Sequence, residues 1–300
     1  MNLDELNQLL VHELFWRKTE IDRIQTVAEL APREEGERKI HSVLTKSLTL
    51  VLYSHWEGFI KKSALIYIEY VSNRRIPMEQ LTENFRALGL KKCLEDLAAS
   101  HEQTRKKQSQ FFASMMKYFE ESDQVLRAPF FVETFFNDPE KYKNNGVINT
   151  DGNLNLDAFE SVLNALGMKT PSCYLEDLEP PFRPSLRNLR KKSLFIQIID
   201  ETLLKCRNHN AHGRDNRNHV VLDIDELKVI KTIVYHMIDK FKENIVEFVT
   251  EEYFLKENNV SRVTYESEAE TELKGLISDT LREYRERLEA NSIIAEGTHT

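Results

Sequence analysis

Residues 43–71 read VLTKSLTLVLYSHWEGFIKKSALIYIEYV, and this stretch decides the fold. Its apolar residues repeat at helical spacing, but they occur on nearly every side of the helix instead of along one stripe. A helix that is apolar all round has to be buried by neighbouring helices. We therefore predict a central buried helix from about Glu37 to Asn73.

The rest of the chain also favours helices. Only 9 glycines and 8 prolines occur in 300 residues, which is typical of long helices with few tight turns. The fold class that we predict is an all-α helical bundle. Helical periodicity predicts its other helices at about Leu3–Leu30, Pro77–Ser100, Leu156–Leu166, Pro184–His212, Asp225–Lys256 and Glu266–Ala290.

The composition changes in the middle of the chain. Residues 128–183 hold five of the eight prolines and turn-rich runs such as NDPEKYKNNGVINTDGN, residues 137–153. We therefore predict a loop-rich insertion there. The predicted organisation is bundle helices at 1–127, the insertion at 128–183, further bundle helices at 184–257, and a charged amphipathic C-terminal helix with a tail at 258–300.

Composition also excludes several classes of protein. The apolar fraction of 41% and the charged fraction of 30% are typical of a globular chain. The three cysteines form no CxxC pair, so neither a thiolate metal site nor a disulfide framework is expected. The first residues, MNLDELNQLLVHELFW, lack the basic start of a signal peptide, and no apolar run reaches about 20 residues. We expect a cytoplasmic protein with no membrane span, no metal and no cofactor.

A second informative stretch is LLKCRNHNAHGRDNRNH, residues 203–219, where an apolar helix ends in polar residues. Although the net charge is −8, residues 183–217 contain nine Lys or Arg against three Asp or Glu. Such a local basic block is suited to a polyanion. Within it, RNLRKK (187–192) either follows an RNA backbone or is a solvated face. Its candidate RNA-binding residues are Arg187, Arg190, Lys191 and Lys192.

The polar end of this helix can be projected at 100° per residue. In a straight α-helix, Glu201, Lys205, Asn208 and His212 fall within about 60° of one another, and Glu201 and Lys205 form an i,i+4 ion pair. Arg207 projects about 140° from His212. The two converge only if the helix loosens over NHNAHG or if two copies of the chain meet here. The alternative is an ordinary solvated helix end, where basic residues are favoured anyway.

The run RNHNAH, from Arg207 to His212, resembles the R-x4–6-H motif of the HEPN superfamily of helical ribonucleases. Upstream, Glu201 and Lys205 resemble the E-x3-K extension of that motif, although Cys206 separates the lysine from the arginine. The stretch LYSHWEGFIKKSALIYIEYV, residues 52–71, is similar to a helix of a stand-alone prokaryotic HEPN subfamily. The similarity covers about residues 1–255.

This resemblance implies metal-independent RNA cleavage in a cleft between two protomers. The partners expected are an RNA substrate, a second copy that completes the active site, and an antitoxin or sensor protein, since such proteins commonly act as toxins or in antiviral defence. The catalytic residues implied are Arg207 and His212, with Asn208 positioning the phosphate or the histidine. His209 is an alternative to His212.

Two further points stay open at the level of sequence. Glu57 is an acid inside a nearly all-apolar helix, so it needs a partner. That partner is Arg207 or Lys205 in a supporting role at the site, or Lys61 on the same helix. The alternatives to a nuclease are a catalytically inert RNA- or nucleotide-binding module, and a protein that docks a partner through its C-terminal helix.

Overall fold

The computed structural model describes residues 1–31, 38–88, 148, 152–176, 193–211 and 222–297. These residues form an all-α bundle; within them Leu81 and Leu255 make an isolated antiparallel bridge, and no strand occurs. The predicted fold class is therefore confirmed for this part of the chain. None of the described helices is long and apolar enough to cross a membrane.

Helix α1 spans Leu3–Leu30, as predicted. It begins at a capping box, in which the Asn2 side chain accepts from the Glu5 backbone N–H and the Glu5 carboxylate accepts from the Asn2 N–H. These two hydrogen bonds satisfy donors that a helix start leaves free. Leu6, Leu10 and Ile21 are buried on the inner face of α1, against α2.

Helix α2 spans Arg38–Asn73 and is the buried centre of the bundle. Tyr53, Trp56, Phe59 and Ile60 have no exposed surface. The expectation from residues 43–71 is confirmed, because four other helices pack around α2: α1, Leu156–Leu166, Lys205–Ala211 and Ile224–Thr250. Burying each such side chain is worth about 1.5–3 kcal/mol.

The helix predicted to begin at Pro77 begins later. Residues 78–80 form a turn, and the helical residues described here are 83–88. The reason is tertiary: the Thr82 N–H donates to Phe254 O at 2.9 Å, and the Lys256 N–H donates to Gln80 O at 3.0 Å. These bonds tie residues 80–82 to residues 254–256. Residues 89–100 of the predicted helix lie outside the described residues.

Part of the predicted insertion packs into the same hydrophobic core as α1 and α2. Helix α3 spans Leu156–Leu166, as predicted, between the N-cap Asn155 and Gly167, which ends it with φ 75°. The α3 residue Phe159 is buried, stacking on Phe195 with ring centroids 5.2 Å apart. A short helix, α4, follows at Ser172–Leu175. The division of the chain at 128 and 183 stays a prediction.

The next helix departs from the α form. Ile196–Leu204 is a π-helix, followed directly by α5 at Lys205–Ala211. Within the π-helix the Thr202 hydroxyl donates to Gln197 O at 2.7 Å. In a π-helix, residue i is hydrogen-bonded to residue i+5. The projection of residues 201–212 as a straight α-helix at 100° per residue is therefore wrong for residues 201–204, which lie in the π-helix.

Helix α6 spans Ile224–Thr250, with Asp223 and Glu226 forming a capping box. It ends before the predicted Lys256, in a turn where Glu252 has a φ of 51°. A 3₁₀ turn at Lys256–Asn258 leads into helix α7, Asn259–Gly297. Helix α7 packs against α6 and is longer than predicted. Its buried residues are Ala269, Leu273, Ile277, Leu281 and Tyr284.

Candidate functional site

Arg207 lies in the first turns of α5, immediately after the π-helix, and is half-buried. Its Nη1 donates to Asn208 Oδ1 at 2.9 Å and to Asn153 Oδ1 at 3.3 Å. Its Cζ lies 5.8 Å from the centroid of the Tyr53 ring, on α2. A guanidinium at this distance from an aromatic face gains a cation–π attraction. The side chain is thus held by three neighbours from three parts of the chain.

The loop that precedes α3 is fixed at the same place. The Leu154 N–H donates to the Tyr53 hydroxyl at 2.7 Å, and burial is the main cause that raises the Tyr53 pKa well above its ordinary value. The phenol therefore stays neutral and accepts this hydrogen bond. Because Asn153 is adjacent to Leu154, the bond from Leu154 to Tyr53 also positions the amide that contacts Arg207.

Asp200 lies on the π-helix and approaches the start of α3. Its Oδ2 accepts from the Leu156 N–H at 3.4 Å, and its Oδ1 is buried with no hydrogen-bond partner in the described part of the chain. Burial raises the pKa of this carboxyl to about 6, against the opposing effect of the Leu156 N–H. Asp200, a carboxyl group that is costly to ionise, thus lies beside the loop that holds Arg207.

The predicted pair between Glu201 and Lys205 is present, although Glu201 lies in the π-helix and Lys205 begins α5. Lys205 is exposed and Glu201 is half-buried. The pair therefore spans the junction between the two helix types. His209 lies further along α5 and is exposed.

Glu57 is buried on α2 and accepts from the Lys61 Nζ at 2.6 Å. This is the pairing with Lys61 that the sequence left open. Glu57 also adds to the raised pKa of Tyr53 through its charge, which places it near the phenol. A supporting role for Glu57 at the site stays a prediction.

The HWEGF run contributes to a second cluster of charges, between α1 and α2. His55 Nε2 lies 2.9 Å from Glu20 Oε2, and the Trp16 ring meets the His55 ring edge-on. Nearby, the buried Glu13 pairs with Arg17 at 2.9 Å and with Lys62 at 2.6 Å. Every cation named here has a carboxylate partner, so this cluster joins two helices.

A comparison with protein-family models identifies the superfamily. The model described as HEPN_MAE_28990-like HEPN matches residues 6–254. This range covers most of the chain and includes α2, the π-helix and Arg207. The chain belongs to the HEPN_MAE_28990-like HEPN family. No curated protein and no solved structure matches it.

The HEPN motif is only partly inside the described residues. The structure brings Arg207 and Asn208 together, while His212 lies outside the described residues, as do Arg187, Arg190, Lys191 and Lys192. The convergence of Arg207 and His212 therefore stays a prediction. So does RNA contact by the run 187–192.

Sequence reasoning missed Tyr53, Asn153 and Asp200 in this HEPN domain. Tyr53 is separated from Arg207 by 154 positions, and Asn153 by 54, so no local periodicity connects them. Lys46 was missed as well. Burial raises the pKa of the Cys206 thiol, and the charge of the nearby Lys46 opposes that rise. For Asn153, the available signal is the Asn-rich run GNLN before a helix, which predicts a turn and a cap.

The arrangement around Arg207 is suited to binding an anion. A guanidinium presents a planar set of donors that matches phosphate oxygens. Among the residues that the structure describes, the acceptors of Arg207 are amide oxygens. Within the described ranges, no three His, Cys, Asp or Glu side chains come together as metal ligands would.

Proposed function

We propose that this HEPN protein is a metal-independent endoribonuclease that acts as a toxin or as an effector of antiviral defence. The observation that supports the proposal is the pose of Arg207. Two amides and the Tyr53 ring fix a half-buried guanidinium at the helix that ends in the R-x4-H motif. Membership in the HEPN family supports an RNA-related role.

The chemistry needs a nucleophile, a base, an acid and a fixed cation. The RNA 2′-hydroxyl attacks its own phosphorus, and a base takes its proton. An acid protonates the leaving 5′-oxygen, and a fixed cation stabilises the charge of the phosphorane. The products are a 2′,3′-cyclic phosphate and a 5′-hydroxyl.

We assign these roles to the motif residues. Arg207 is the cation, and Asn208 holds it in place or contacts the phosphate. His212 is the base, and His212 of a second copy is the acid, so the active unit is a homodimer with a composite site. Glu201 and Lys205 support the helix junction, and the run 187–192 follows the RNA backbone.

The test is an RNA cleavage assay in EDTA, comparing wild type with His212→Ala and Arg207→Ala. Each variant should lose at least about 100-fold in rate, the usual effect of removing a general acid–base or a charge-stabilising group. His12→Ala is the control, because it removes an exposed imidazole from α1. His209→Ala tests the alternative histidine. Equal cleavage by wild type and His212→Ala would remove His212 from the mechanism.

An inert RNA-binding protein is the second candidate, because the groups placed around Arg207 are binding groups. In that case, wild type retains RNA without cutting it, and His212→Ala binds with unchanged affinity. The same assay, run beside a binding measurement, separates the two functions.

A further inference from the structure

The acceptors of Arg207 differ in charge from those of three other buried or half-buried cations in this protein. Lys240 pairs with Glu272 at 2.5 Å, Arg17 with Glu13 at 2.9 Å, and Lys18 with Asp239 at 2.6 Å. Each of these cations is neutralised by a carboxylate. Among the described residues, Arg207 instead donates its hydrogen bonds to the amide oxygens of Asn153 and Asn208.

The same contrast holds for the polar cleft of about 490 Å³ at the start of α7. The Lys256 Nζ lies 3.0 Å from the Glu83 carboxylate, and the Arg262 Nε lies 4.0 Å from that of Glu266. In that cleft, too, each of these cations has a carboxylate nearby that neutralises its charge. Within the described part of the chain, Arg207 beside Tyr53 is held in place without an ion pair to a carboxylate.

A neutral acceptor has a different electrostatic effect from an acidic one. An amide oxygen orients a guanidinium by one hydrogen bond and leaves its net charge at +1. A carboxylate orients it more strongly, but the pair then has no net charge to offer an incoming phosphate. Holding an anion-binding arginine by amides therefore keeps its attraction for the anion.

We propose that Asn153 is a positioning residue that aims the Arg207 guanidinium at a substrate phosphate while leaving its charge free. The inference rests on the proposed function for the identity of the anion, the RNA backbone. Asn153 acts through Arg207 and not by contact with the phosphate. The bond from the Leu154 N–H to the Tyr53 hydroxyl fixes the loop that presents the amide.

The decisive substitution is Asn153→Asp, which keeps the shape of the side chain and adds a negative charge. Asn155→Asp is the matched control. It adds the same charge two residues away, at the N-cap of α3, where Asp caps a helix as well as Asn does. Asn153→Ala removes the hydrogen bond without adding charge.

The first measurement is the affinity for a short RNA with 2′-O-methyl riboses, which cannot be cleaved, at several salt concentrations. Asn153→Asp should weaken binding at least tenfold and reduce the salt slope by about 1, as when one phosphate contact is lost. Asn153→Ala should weaken binding less, and Asn155→Asp should stay within about twofold of wild type. If Asn153→Asp and Asn153→Ala weaken binding equally, or neither does so, the charge argument is overturned.

The second measurement does not depend on RNA. An aspartate at 153 should form an ion pair with Arg207, so Asn153→Asp should raise Tm by about 2–4 °C. Adding Arg207→Gln should abolish this gain. If wild type fails to bind RNA, the proposed function is wrong, but the Tm comparison still tests the contact between residues 153 and 207. A Tm change for Asn153→Asp that is the same with and without Arg207→Gln overturns the inference.

Discussion

The side chain of Arg207 is the residue on which the functional argument depends. A planar guanidinium held by two amides and an aromatic ring cannot be replaced by a lysine, which presents a single rotating ammonium group. Its neighbour Asn208 was predictable, because it adjoins Arg207 in the motif. Asn153 and Tyr53 were not, because tertiary packing of a loop and of α2 brings them to the site.

Arg207→Lys should therefore lower RNA cleavage by at least about 100-fold, since the bidentate match to phosphate oxygens is lost. The measurement is the single-turnover rate in EDTA. Lys228→Arg, at a half-buried cation of α6 that pairs with Glu29 and Asp225, is the control for the exchange of basic residue types and should stay at the wild-type rate. Full activity in Arg207→Lys would mean that the planar fork is not used.

Asp200 provides a second prediction at the scale of a residue. Burial raises its pKa from 3.8 to about 6, so the folded state binds this proton more tightly than the unfolded state does. Stability is therefore lost as pH rises from about 4 to 6, and the full cost is present at pH 7.

Asp200→Asn should raise Tm at pH 7 by about 2–4 °C, which corresponds to about 1 kcal/mol once partial exposure is allowed for. The gain should disappear as pH falls towards 4. Asp4→Asn, at an exposed carboxylate in the first turn of α1, should show no such gain. A Tm gain for Asp200→Asn that is equal at pH 4 and pH 7 would contradict the titration argument.

At the scale of elements, the sequence predicted most of the helices but not their type. Helices α1 and α3 were predicted with their observed bounds, because apolar periodicity is a local signal. The structure adds that each begins at an Asn cap. The π-helix at Ile196–Leu204 was not predicted, since no local signal in its apolar run separates i to i+5 from i to i+4 hydrogen bonding. The start of the helix after Pro77 was misplaced because residues 80–82 pair with 254–256.

The π-helix sets the rotation at which α5 presents Arg207. Thr202→Val removes the hydroxyl that donates to Gln197 O in a buried setting, at a cost of about 1 kcal/mol. We expect Tm to fall by about 2–4 °C and RNA cleavage to fall with it. The control is Thr26→Val, which removes an exposed hydroxyl bonded to Asp22 O on α1. Unchanged Tm and cleavage in Thr202→Val would show that this bond does not hold the π-helix.

The stability of the packing between α1 and α2 should depend on pH because of His55. Burial and then the Arg17 charge lower its pKa, and the Glu20 carboxylate opposes both. Because the folded pKa lies below the ordinary 6.5, the unfolded state takes up the proton first. Stability should therefore fall as pH drops below about 6.5.

His55→Gln should flatten the fall in Tm between about pH 6.5 and pH 5, while His12→Gln on the exposed face of α1 should leave it as in wild type. The measurement is thermal unfolding as a function of pH for the three proteins. An identical pH profile in wild type and His55→Gln would exclude His55 as its source.

At the scale of the whole molecule, the match to the HEPN family ends at residue 254, before α7. Helix α7 nevertheless belongs to the bundle, because its apolar face is buried against α6 as far as Tyr284. This face is therefore occupied within the chain, which argues against partner docking through it. The sequence predicted an amphipathic helix here, but not which surface would cover it.

Truncation after Asn258 should lower Tm by more than about 10 °C. It removes Leu273, Ile277 and Leu281, each worth about 1.5–3 kcal/mol when buried. Truncation after Gly297 is the control and should leave Tm unchanged. A chain ending at Asn258 that unfolds at the wild-type temperature would contradict the packing of α7.

The most direct test of the account is the chemistry of the RNA ends produced by the pure protein in EDTA. The account predicts 2′,3′-cyclic phosphate and 5′-hydroxyl ends with wild type, and intact RNA with Arg207→Ala and with His212→Ala. Intact RNA after prolonged incubation with wild type, or ends with a 5′-phosphate and a 3′-hydroxyl, would contradict it.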